Sequence, residues 1–600
     1  MSNNLIALQN RFLGKGETVY DKLAVLHDED PAALTSSTAI ESLAKDMNLP
    51  PSHVHSVAQF YDGFKQAAPS SGIKVCNGEA CLCQGSADLK TRLADKTGKD
   101  VGDITCLGYC DQGPAVVVEQ NHNSGVYALH DDASEAAVVD AVANGELPDL
   151  SEPENAIYPS PDAKSNILLR NMANGVDDLD TARKHGAYES LKKALAMPRE
   201  ELLQLFVDAN LRGRGGAGFP IGIKLKTVSE SVASSGNDAV VVCNADEGDA
   251  GAYIDKVLLE KDPHAVLEGI LLAAVATGAT QAFLYLRGEY PTAIQQWKQL
   301  LVDVENANLL GDNILGSGYS CSFKLVPGHG AYVCGEETSL LRSLEGVAAQ
   351  VSPKPPFPAV SGYQGRPTAV NNVETLANLP WIVEHGAEAY AALGHGKSRG
   401  TKLVSLNAAV EKPGVYEVEL GTTLHDVIER AGGLKDGKKF RAAQVGGPLG
   451  GLLDEGRLNL PLDFEAYAQA GVMLGHAGVV IYTDDVDLVK IGRGLMRFCA
   501  VESCGKCFPC RLGSVRGTDI FDKILDGNGT QADLELLAEL LETMQVGSLC
   551  ALGGGIPTPI INLLTFFIGS FSPYIPDARV PQLVRDDDVE LHTVDEVRHG

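Results

Sequence analysis

The sequence predicts a multidomain α/β protein: a helical start, a small α/β unit, a large α/β unit, a smaller strand-and-helix unit and a helical end. Three observations lead there. The chain has 600 residues, too many for one hydrophobic core, so about three to five domains of roughly 100–200 residues are expected. Its apolar pattern switches between helical and strand periods along the chain. Its 13 cysteines are odd in number and grouped.

With 44% apolar and 21% charged residues, the chain is neither disordered nor collagen-like. Forty-nine Lys and Arg against 78 Asp and Glu give −29, which opposes general attraction to nucleic acid or anionic lipid. The longest apolar stretches, 270–276 and 563–568, fall far short of the roughly 20 residues of a membrane span. The start, MSNNLIALQNRFLGKGE, has no long apolar core and no small-residue cleavage site. A cytoplasmic protein is expected, and clustered cysteines in that setting point to metal ligation rather than disulfides.

Residues 1–65 read as helical. Thr38 and Glu41 fit a capping box ahead of Ile40, Leu43, Ala44 and Met47. Pro50 and Pro51 interrupt that pattern. A second helix follows Ser52 with Val54, Val57, Ala58 and Tyr61 on one face, leaving His53 and His55 as surface residues. Residues 70–150 form the small α/β unit: a strand ending at Cys76, a helix over 87–96, an apolar run at 115–118 and a helix from Ser134 to Gly145. The tract 151–180, rich in Pro, Ser, Glu and Asp, reads as a linker. In 181–395 a buried strand at 240–243, a helix over 263–277 and a strand at 283–286 suggest a βαβ arrangement. In 401–485 an alternating strand at 415–420 precedes a helix capped by Thr423, with Leu424, Val427, Ile428 and Ala431 on its apolar face. Residues 486–570 are helical and cysteine-bearing, and 571–600 is a charged, loosely held tail.

The first cysteine set is Cys76-x4-Cys81 with Cys106-x3-Cys110. Two loops with two thiolates each suit a [2Fe–2S] rhomb; zinc is the competitor. Cys83 is either a bystander or a replacement for Cys81. The second set, Cys504-x2-Cys507-x2-Cys510 with remote Cys550, suits a [4Fe–4S] cubane, a structural zinc site being the rival. Cys243, Cys321, Cys334 and Cys499 lack such spacing and read as small buried apolar residues.

GRGGAG at 213–218 matches G-x-G-x-x-G literally. A helix rather than a strand precedes it, and the FPIG that follows is not expected to open a helix at once, so the dinucleotide fingerprint competes with a plain turn. Its glycines, with Arg214 and Lys224, still suit a phosphate. Asp246, Glu247 and Asp249 follow the 240–243 strand. They read either as a solvated loop or as acceptors for ribose hydroxyls or a ring N–H. Paired acids at Glu336 and Glu337 and paired amides at Asn371 and Asn372 suit a polar heterocycle. No H-E-x-x-H or G-x-S-x-G string gives hydrolysis a foothold.

Together, RGRGGAGFP at 212–220, CNADEGD at 243–249, GAYVCGEET at 330–338, KPPFP at 354–358, NNVET at 371–375 and ESCGKCFPCR at 502–511 resemble the NADH-binding flavoprotein subunit of respiratory complex I and its relatives. Those relatives are the diaphorase subunit of NAD-reducing hydrogenases and the beta subunit of NAD-dependent formate dehydrogenases. Residues 1–150 resemble the small thioredoxin-like [2Fe–2S] subunit of the same family, here fused in front. Its ligand pattern falls on Cys76, Cys81, Cys106 and Cys110, which makes Cys83 a non-ligand. The wording at 442–450, 461–468, 500–517 and 547–555 is most similar to the formate dehydrogenase beta subunit.

The resemblance implies a thioredoxin-like domain, an FMN- and NAD(H)-binding α/β domain, a β-grasp-like domain and a helical [4Fe–4S] domain. It implies FMN held by Gly213, Arg214, Gly215, Gly216, Lys224, Asn244, Asp246, Gly335, Glu336, Asn371 and Asn372. The nicotinamide dinucleotide is placed near Phe219, Asp249, Tyr332, Glu337, Lys354 and Phe357, with Glu337 positioning rather than acting as a base. Two positions depart from the family pattern: Asp249, where complex I members mostly carry Glu, and Leu225, where Trp is usual. The implied partner is a molybdenum- or tungsten-containing formate dehydrogenase subunit, with hydrogenase or complex I subunits as alternatives. An iron–sulfur relay without nucleotide chemistry is the rival from another class.

Overall fold

The computed structural model describes residues 18–29, 33–34, 36–65, 69–120 and 123–584. At its centre is a four-stranded, all-parallel sheet in the order Ser322–Pro327, Gln281–Leu286, Val240–Ala245, Thr368–Asn372. Parallel strands need both faces covered, and alternate side chains point to opposite faces. Val241, Cys243, Ala245, Leu284 and Leu286 face a core shared with the helix Pro263–Thr277. Its boundaries match the sequence expectation, with Asp262 capping the Ala265 N–H.

The other face is covered from an unexpected source. Val240, Val242, Phe283, Tyr285, Val326 and Val370 pack against Val19, Tyr20, Leu23, Ile40, Val54, Val57, Ala58, Tyr61 and Phe64. The N-terminal helices Val19–Glu29, Ser37–Asp46 and Pro51–Ala58 are thus a layer of the central domain. Tyr20 donates to the Pro327 carbonyl (2.7 Å) and Tyr61 to that of Val347 (2.9 Å). The expected Thr38–Glu41 capping box is not formed. Ser36, two residues earlier, is the cap, accepting from the Ala39 N–H. Residues 1–17 of this segment lie outside the described residues.

The small domain is a four-stranded mixed sheet, order Gly102–Ile104, Ile73–Cys76, Ala115–Gln120, Asn123–Ala128. The helices Ser86–Thr97 and Asp132–Asn144 complete its own core. Its cysteine loop is clasped to the central domain. Arg287, fully buried, donates to the Thr105 carbonyl (3.1 Å), and the Lys256 ammonium lies 4.0 Å from the centre of the Tyr109 ring. Asn155 donates to both the Gly108 carbonyl (3.0 Å) and Asp111 (2.8 Å).

The tract expected to be a linker is ordered. Ile157–Tyr158 adds an edge strand, parallel to Gly414–Glu419, to a six-stranded sheet. The other strands of that sheet are Leu452–Leu453, Phe440–Val445, Gly478–Thr483 and Thr401–Leu406. The strand expected to alternate is buried almost throughout. The reason is Glu417, which is fully buried and accepts the Ile167, Leu168 and Leu169 N–H groups (2.9–3.1 Å) and the Thr401 hydroxyl (2.7 Å). The helix Leu424–Arg430 has the expected Thr423 cap, reciprocated by Asp426.

The chain ends in the helices Leu488–Glu502, Phe508–Lys523, Gln531–Gly547, Ala551–Gly555 and Pro557–Thr565. Part of the expected tail is held in place: Phe571 and Ile575 are buried, and the Gln582 N–H donates to Glu535 (2.8 Å). Residues 585–600 lie outside the described residues. Among the described residues, no helix is long and apolar enough to cross a membrane.

Candidate functional site

The cleft forms at the carboxyl ends of the parallel strands, where α/β sheets commonly bind ligands. Asn244 donates to the Gly335 carbonyl (2.9 Å), drawing the loop after the strand Val240–Ala245 against the 330–338 segment. Two buried polar atoms at the ends of adjacent strands have no protein partner: Asp246 Oδ2 and Asn371 Nδ2. Burial holds the Asp246 carboxyl well above the usual carboxylate range. Gly335 packs beside it without a side chain, and a Cβ there would be in ordinary contact with the Asp246 carbonyl (3.5 Å) and Oδ2 (3.9 Å). An orphaned acid and an orphaned amide are costly unless a ligand meets them.

The glycine loop closes one side. The Gly213 N–H donates to the Phe219 carbonyl (2.9 Å) and the Arg214 N–H to Thr375 Oγ1 (2.8 Å). Gly215 lies against Asn372, where a Cβ would come within 2.8 Å of the asparagine Cβ. The helix Ile221–Ser235 opens directly after Pro220, contrary to expectation. Proline is favourable at a helix start, and Gly222 lets this helix sit on the preceding one, since a Cβ would meet Val207 N at 2.5 Å. The loop therefore joins two helices and lacks the leading strand of a Rossmann fingerprint. Arg214 also differs from expectation. It is fully buried, with its guanidinium donating to Tyr390 Oη (3.0 Å) and the Arg212 carbonyl (3.1 Å). These bonds brace the loop from behind, while Arg214 Nε is buried with no protein partner.

Lys224 donates to the Val370 carbonyl (2.9 Å) and stands 3.8 Å from Glu337. Lys354 bridges Glu336 (3.0 Å) and Glu337 (2.7 Å). Burial pulls its pKa down, but the two carboxylates prevail and hold it above the ordinary lysine value. Glu336 in turn caps the helix Glu337–Leu344 through the Thr338 and Ser339 N–H groups. Phe219 and Phe357 are 47% and 41% exposed, leaving aromatic surface free for stacking.

Glu247 serves the scaffold. It accepts the Asp255 and Lys256 N–H groups (both 3.0 Å) and the Tyr290 hydroxyl (3.1 Å). Asp249 accepts the Tyr332 hydroxyl at 2.6 Å, and the Tyr332 N–H donates to Glu502 (3.0 Å). The Tyr332 ring meets Phe498 edge-on, with centroids 4.8 Å apart. Tyr332 thereby links the cleft to the helix that leads into Cys504. Asn372 donates to Asp255 (2.6 Å) and accepts the Thr375 N–H (3.1 Å). Sequence reasoning missed Tyr390, Asp255 and His476 as parts of this site, and no spacing or motif marks them; Thr375 closes the NNVET string but carried no assigned role.

The cysteines form two separate centres. Cys106 and Cys110 sulfurs lie 3.8 Å apart, and the proximity of Cys81 draws the Cys76 thiol down to about 7. About 3.8 Å is the span of two thiolates at ~2.3 Å on one tetrahedral metal. Among the described residues no three cysteine sulfurs fall within 4.8 Å of one another. Two close pairs that do not merge fit the two irons of a [2Fe–2S] rhomb better than one zinc. Cys83 is a thiol that burial pushes up to about 12. In the second centre Cys507 and Cys550 are the N-caps of the helices Phe508–Lys523 and Ala551–Gly555, and burial pushes the Cys550 thiol up to about 11. Cys504 and Cys507 are partly exposed while Cys510 and Cys550 are buried. The absence of a tight trio again suits a multi-iron cubane. Cys499 sits 4.0 Å from Cys510.

Four known domain families match the chain. A Nuo51 FMN-binding domain covers 207–381 and an NADH-ubiquinone oxidoreductase-F iron–sulfur binding region 490–573. A thioredoxin-like [2Fe–2S] ferredoxin covers 20–142 and an SLBB domain 408–453. The chain is 42% identical over 407 residues to the HndC subunit of the NADP-reducing hydrogenase of Solidesulfovibrio fructosivorans, covering 68% of this chain and 82% of that one. It is 41% identical over 420 residues to the F 2 subunit of the NADH-quinone oxidoreductase of Rhizobium meliloti, covering 69% and 99%. A crystal structure of an NAD+-reducing [NiFe]-hydrogenase in the H2-reduced state superposes with a TM-score of 0.81 at 32% identity, covering 93% of this chain and 94% of that one.

Proposed function

This chain belongs to the family of NADH-binding flavoprotein subunits found in NADH-quinone oxidoreductases and NAD-reducing hydrogenases, and within that family we propose that it is the NAD(H)-facing subunit of an NAD-dependent formate dehydrogenase in the cytoplasm. Its cofactors are FMN, a [2Fe–2S] and a [4Fe–4S] cluster. FMN, when bound, exchanges hydride with NAD(H) and single electrons with iron–sulfur clusters. The observation that carries the reading is the pair of unpartnered buried groups, Asp246 and Asn371, in a cleft joined through Tyr332 to the cubane helix.

The residues divide the work. Gly213, Gly215, Gly216 and Lys224 would hold the FMN phosphate, with Arg214 bracing the loop. Asn244, Asp246, Gly335, Glu336, Asn371 and Asn372 would meet the polar parts of the cofactor. Phe219, Asp249, Tyr332, Glu337, Lys354 and Phe357 would orient the nicotinamide dinucleotide and exclude water. Cys76, Cys81, Cys106 and Cys110 would ligate the [2Fe–2S] cluster, and Cys504, Cys507, Cys510 and Cys550 the [4Fe–4S] cluster.

An exposed apolar patch flanks the cubane cysteines. Phe508 is 73% exposed, and Leu512, Val515, Val546 and Leu549 are exposed around it. Such an apolar patch suits a protein partner, and the wording of the segments at 442–450, 461–468, 500–517 and 547–555 supports the formate dehydrogenase assignment. The [NiFe]-hydrogenase likeness, which extends over nearly the whole chain including the fused domain, favours a second reading as a hydrogenase diaphorase. Purification with native partners separates them. A large molybdopterin subunit supports the first reading, a nickel–iron subunit the second, and membrane-arm subunits a complex I role. Denatured holoprotein is expected to release FMN, and NADH is expected to bleach a dye. No FMN and no bleaching would leave only a cluster relay.

Gly215→Ala tests the cradle. The added methyl meets Asn372, which Asp255 and Thr375 pin in place. A clash against a fixed neighbour costs about 1–3 kcal/mol. FMN binding, followed by fluorescence, is expected to weaken roughly tenfold or more, with both clusters retained.

A further inference from the structure

The loop before the strand Gly478–Thr483 inserts one side chain from the six-stranded domain into the wall of the flavin cleft. His476 is buried, with Nδ1 3.4 Å from Glu247 Oε1 and Nε2 3.4 Å from Asp255 Oδ1. Asp255 accepts from Asn372 Nδ2 through its other oxygen at 2.6 Å, and the imidazole Nε2 lies 3.3 Å from that same amide nitrogen. The neighbouring Gly475 stands beside Gly216 of the glycine loop. Among the described residues, Glu247, Asp255 and His476 form the one trio of potential metal-ligand side chains within 4.8 Å of one another. Their carboxylate oxygens already accept backbone N–H groups, from Asp255 and Lys256 to Glu247 and from Glu374 to Asp255. That saturation favours an ion-pair cluster over a metal site.

We propose that His476 is a positioning residue of the flavin cleft: its imidazolium, clamped between Glu247 and Asp255, fixes Asn372 through Asp255 and places one positive charge behind the cleft wall. The inference rests on the reading of the cleft as the FMN site. Such a charge favours the more negative, reduced cofactor. Burial pulls the imidazole pKa down, but Asp255 and Glu247 prevail and hold it up at about 9. Glu247 is lifted to about 7 by burial and by the charge of Asp255.

The other groups facing the imidazole are Asp249 with its Tyr332 partner, and Lys402 paired with Glu374. Tyr290 and Arg287 reach the cluster through Glu247. At pH 8, above the value for Glu247 and below that for His476, the imidazole is charged. It loses its proton progressively as the pH rises through about 9.

The test is redox titration of bound FMN in the full holoprotein, comparing wild type with His476→Gln from pH 8 to pH 10.5. At pH 8 the reduced-to-oxidised ratio of the variant at a fixed applied potential is expected to be roughly tenfold lower, the order of one partly screened unit charge. The two curves are expected to converge above pH 9, as the wild-type imidazole loses its proton. Equal ratios at every pH, or a gap that persists unchanged above pH 9.5, would overturn the proposal. Where His476→Gln purifies without FMN, His476→Lys decides. That variant is expected to hold FMN and to match wild type at pH 8, and failure of either overturns the proposal. Wild-type protein without FMN would instead refute the functional reading.

Discussion

Cys507→Ser is expected to abolish the [4Fe–4S] signal in electron paramagnetic resonance while leaving the [2Fe–2S] signal intact. The serine oxygen at this helix N-cap is a hard, weakly acidic replacement for a soft thiolate, and iron–sulfur clusters select thiolates. Electron exchange with the partner protein should fall beyond the roughly 10–100-fold that outer-shell changes cause at metal sites. NADH-driven dye reduction, which needs the flavin cleft alone, should remain close to wild type, so the two assays separate cluster loss from misfolding. Cys499→Ser is the control. Its sulfur lies 4.0 Å from Cys510 and is fully buried, yet it stands outside the ligand spacing, so the cubane signal should persist. Loss of the cubane in Cys499→Ser with retention in Cys507→Ser would reverse the ligand assignment.

Lys402→Met is expected to destabilise the protein by about 3–5 kcal/mol, read as a lower urea midpoint with an unchanged slope. Lys402 and Glu374 are both fully buried and paired, and Glu374 also accepts the Leu403 N–H at 2.9 Å. Burial presses the lysine pKa down against the pull of Glu374. Removing the cation strands a carboxylate in the interior. Adding Glu374→Gln should recover most of the loss, because the amide oxygen still accepts from Leu403 and no charge is left behind. Glu374→Leu should recover less, since it leaves that N–H unmet at about 1–3 kcal/mol. Glu374 lies two residues beyond Asn372, so FMN retention should follow the same order. A double variant no more stable than Lys402→Met would show that the pair contributes through packing rather than charge.

The sequence exposes what is encoded locally. The helix Pro263–Thr277 carries its own cap and an unbroken apolar run, and both cysteine sets announce themselves by spacing. What stayed hidden depends on partners far along the chain. Glu417 reads as the polar half of an alternating strand until Ile167, Leu168 and Leu169 supply three N–H groups from about 250 positions away. Ile157 and Tyr158 sit in a tract whose Pro, Ser, Glu and Asp content signals a linker, because composition carries no information about the edge strand they join. The glycine loop shows the converse. Its bare backbone is legible, but the bracing role of Arg214 is not, since only the fold brings Tyr390 within 3.0 Å of it. His476 lacks any local signature, as its neighbours come from three separate segments.

The clasp of Arg287, Lys256 and Asn155 on the small domain has a kinetic consequence. A free ferredoxin meets its electron donor by collision, at a frequency that scales with how much of each is present. Here the cysteine loop is covalently tethered and already seated beside the segment that follows Asp249, with Cys106 Sγ 4.0 Å from the Ala252 carbonyl. Tethering raises the local concentration of such a partner to the millimolar range even for flexible connections. Charge passing between flavin and this cluster should therefore proceed at the same first-order rate whether the sample is concentrated or diluted a thousandfold.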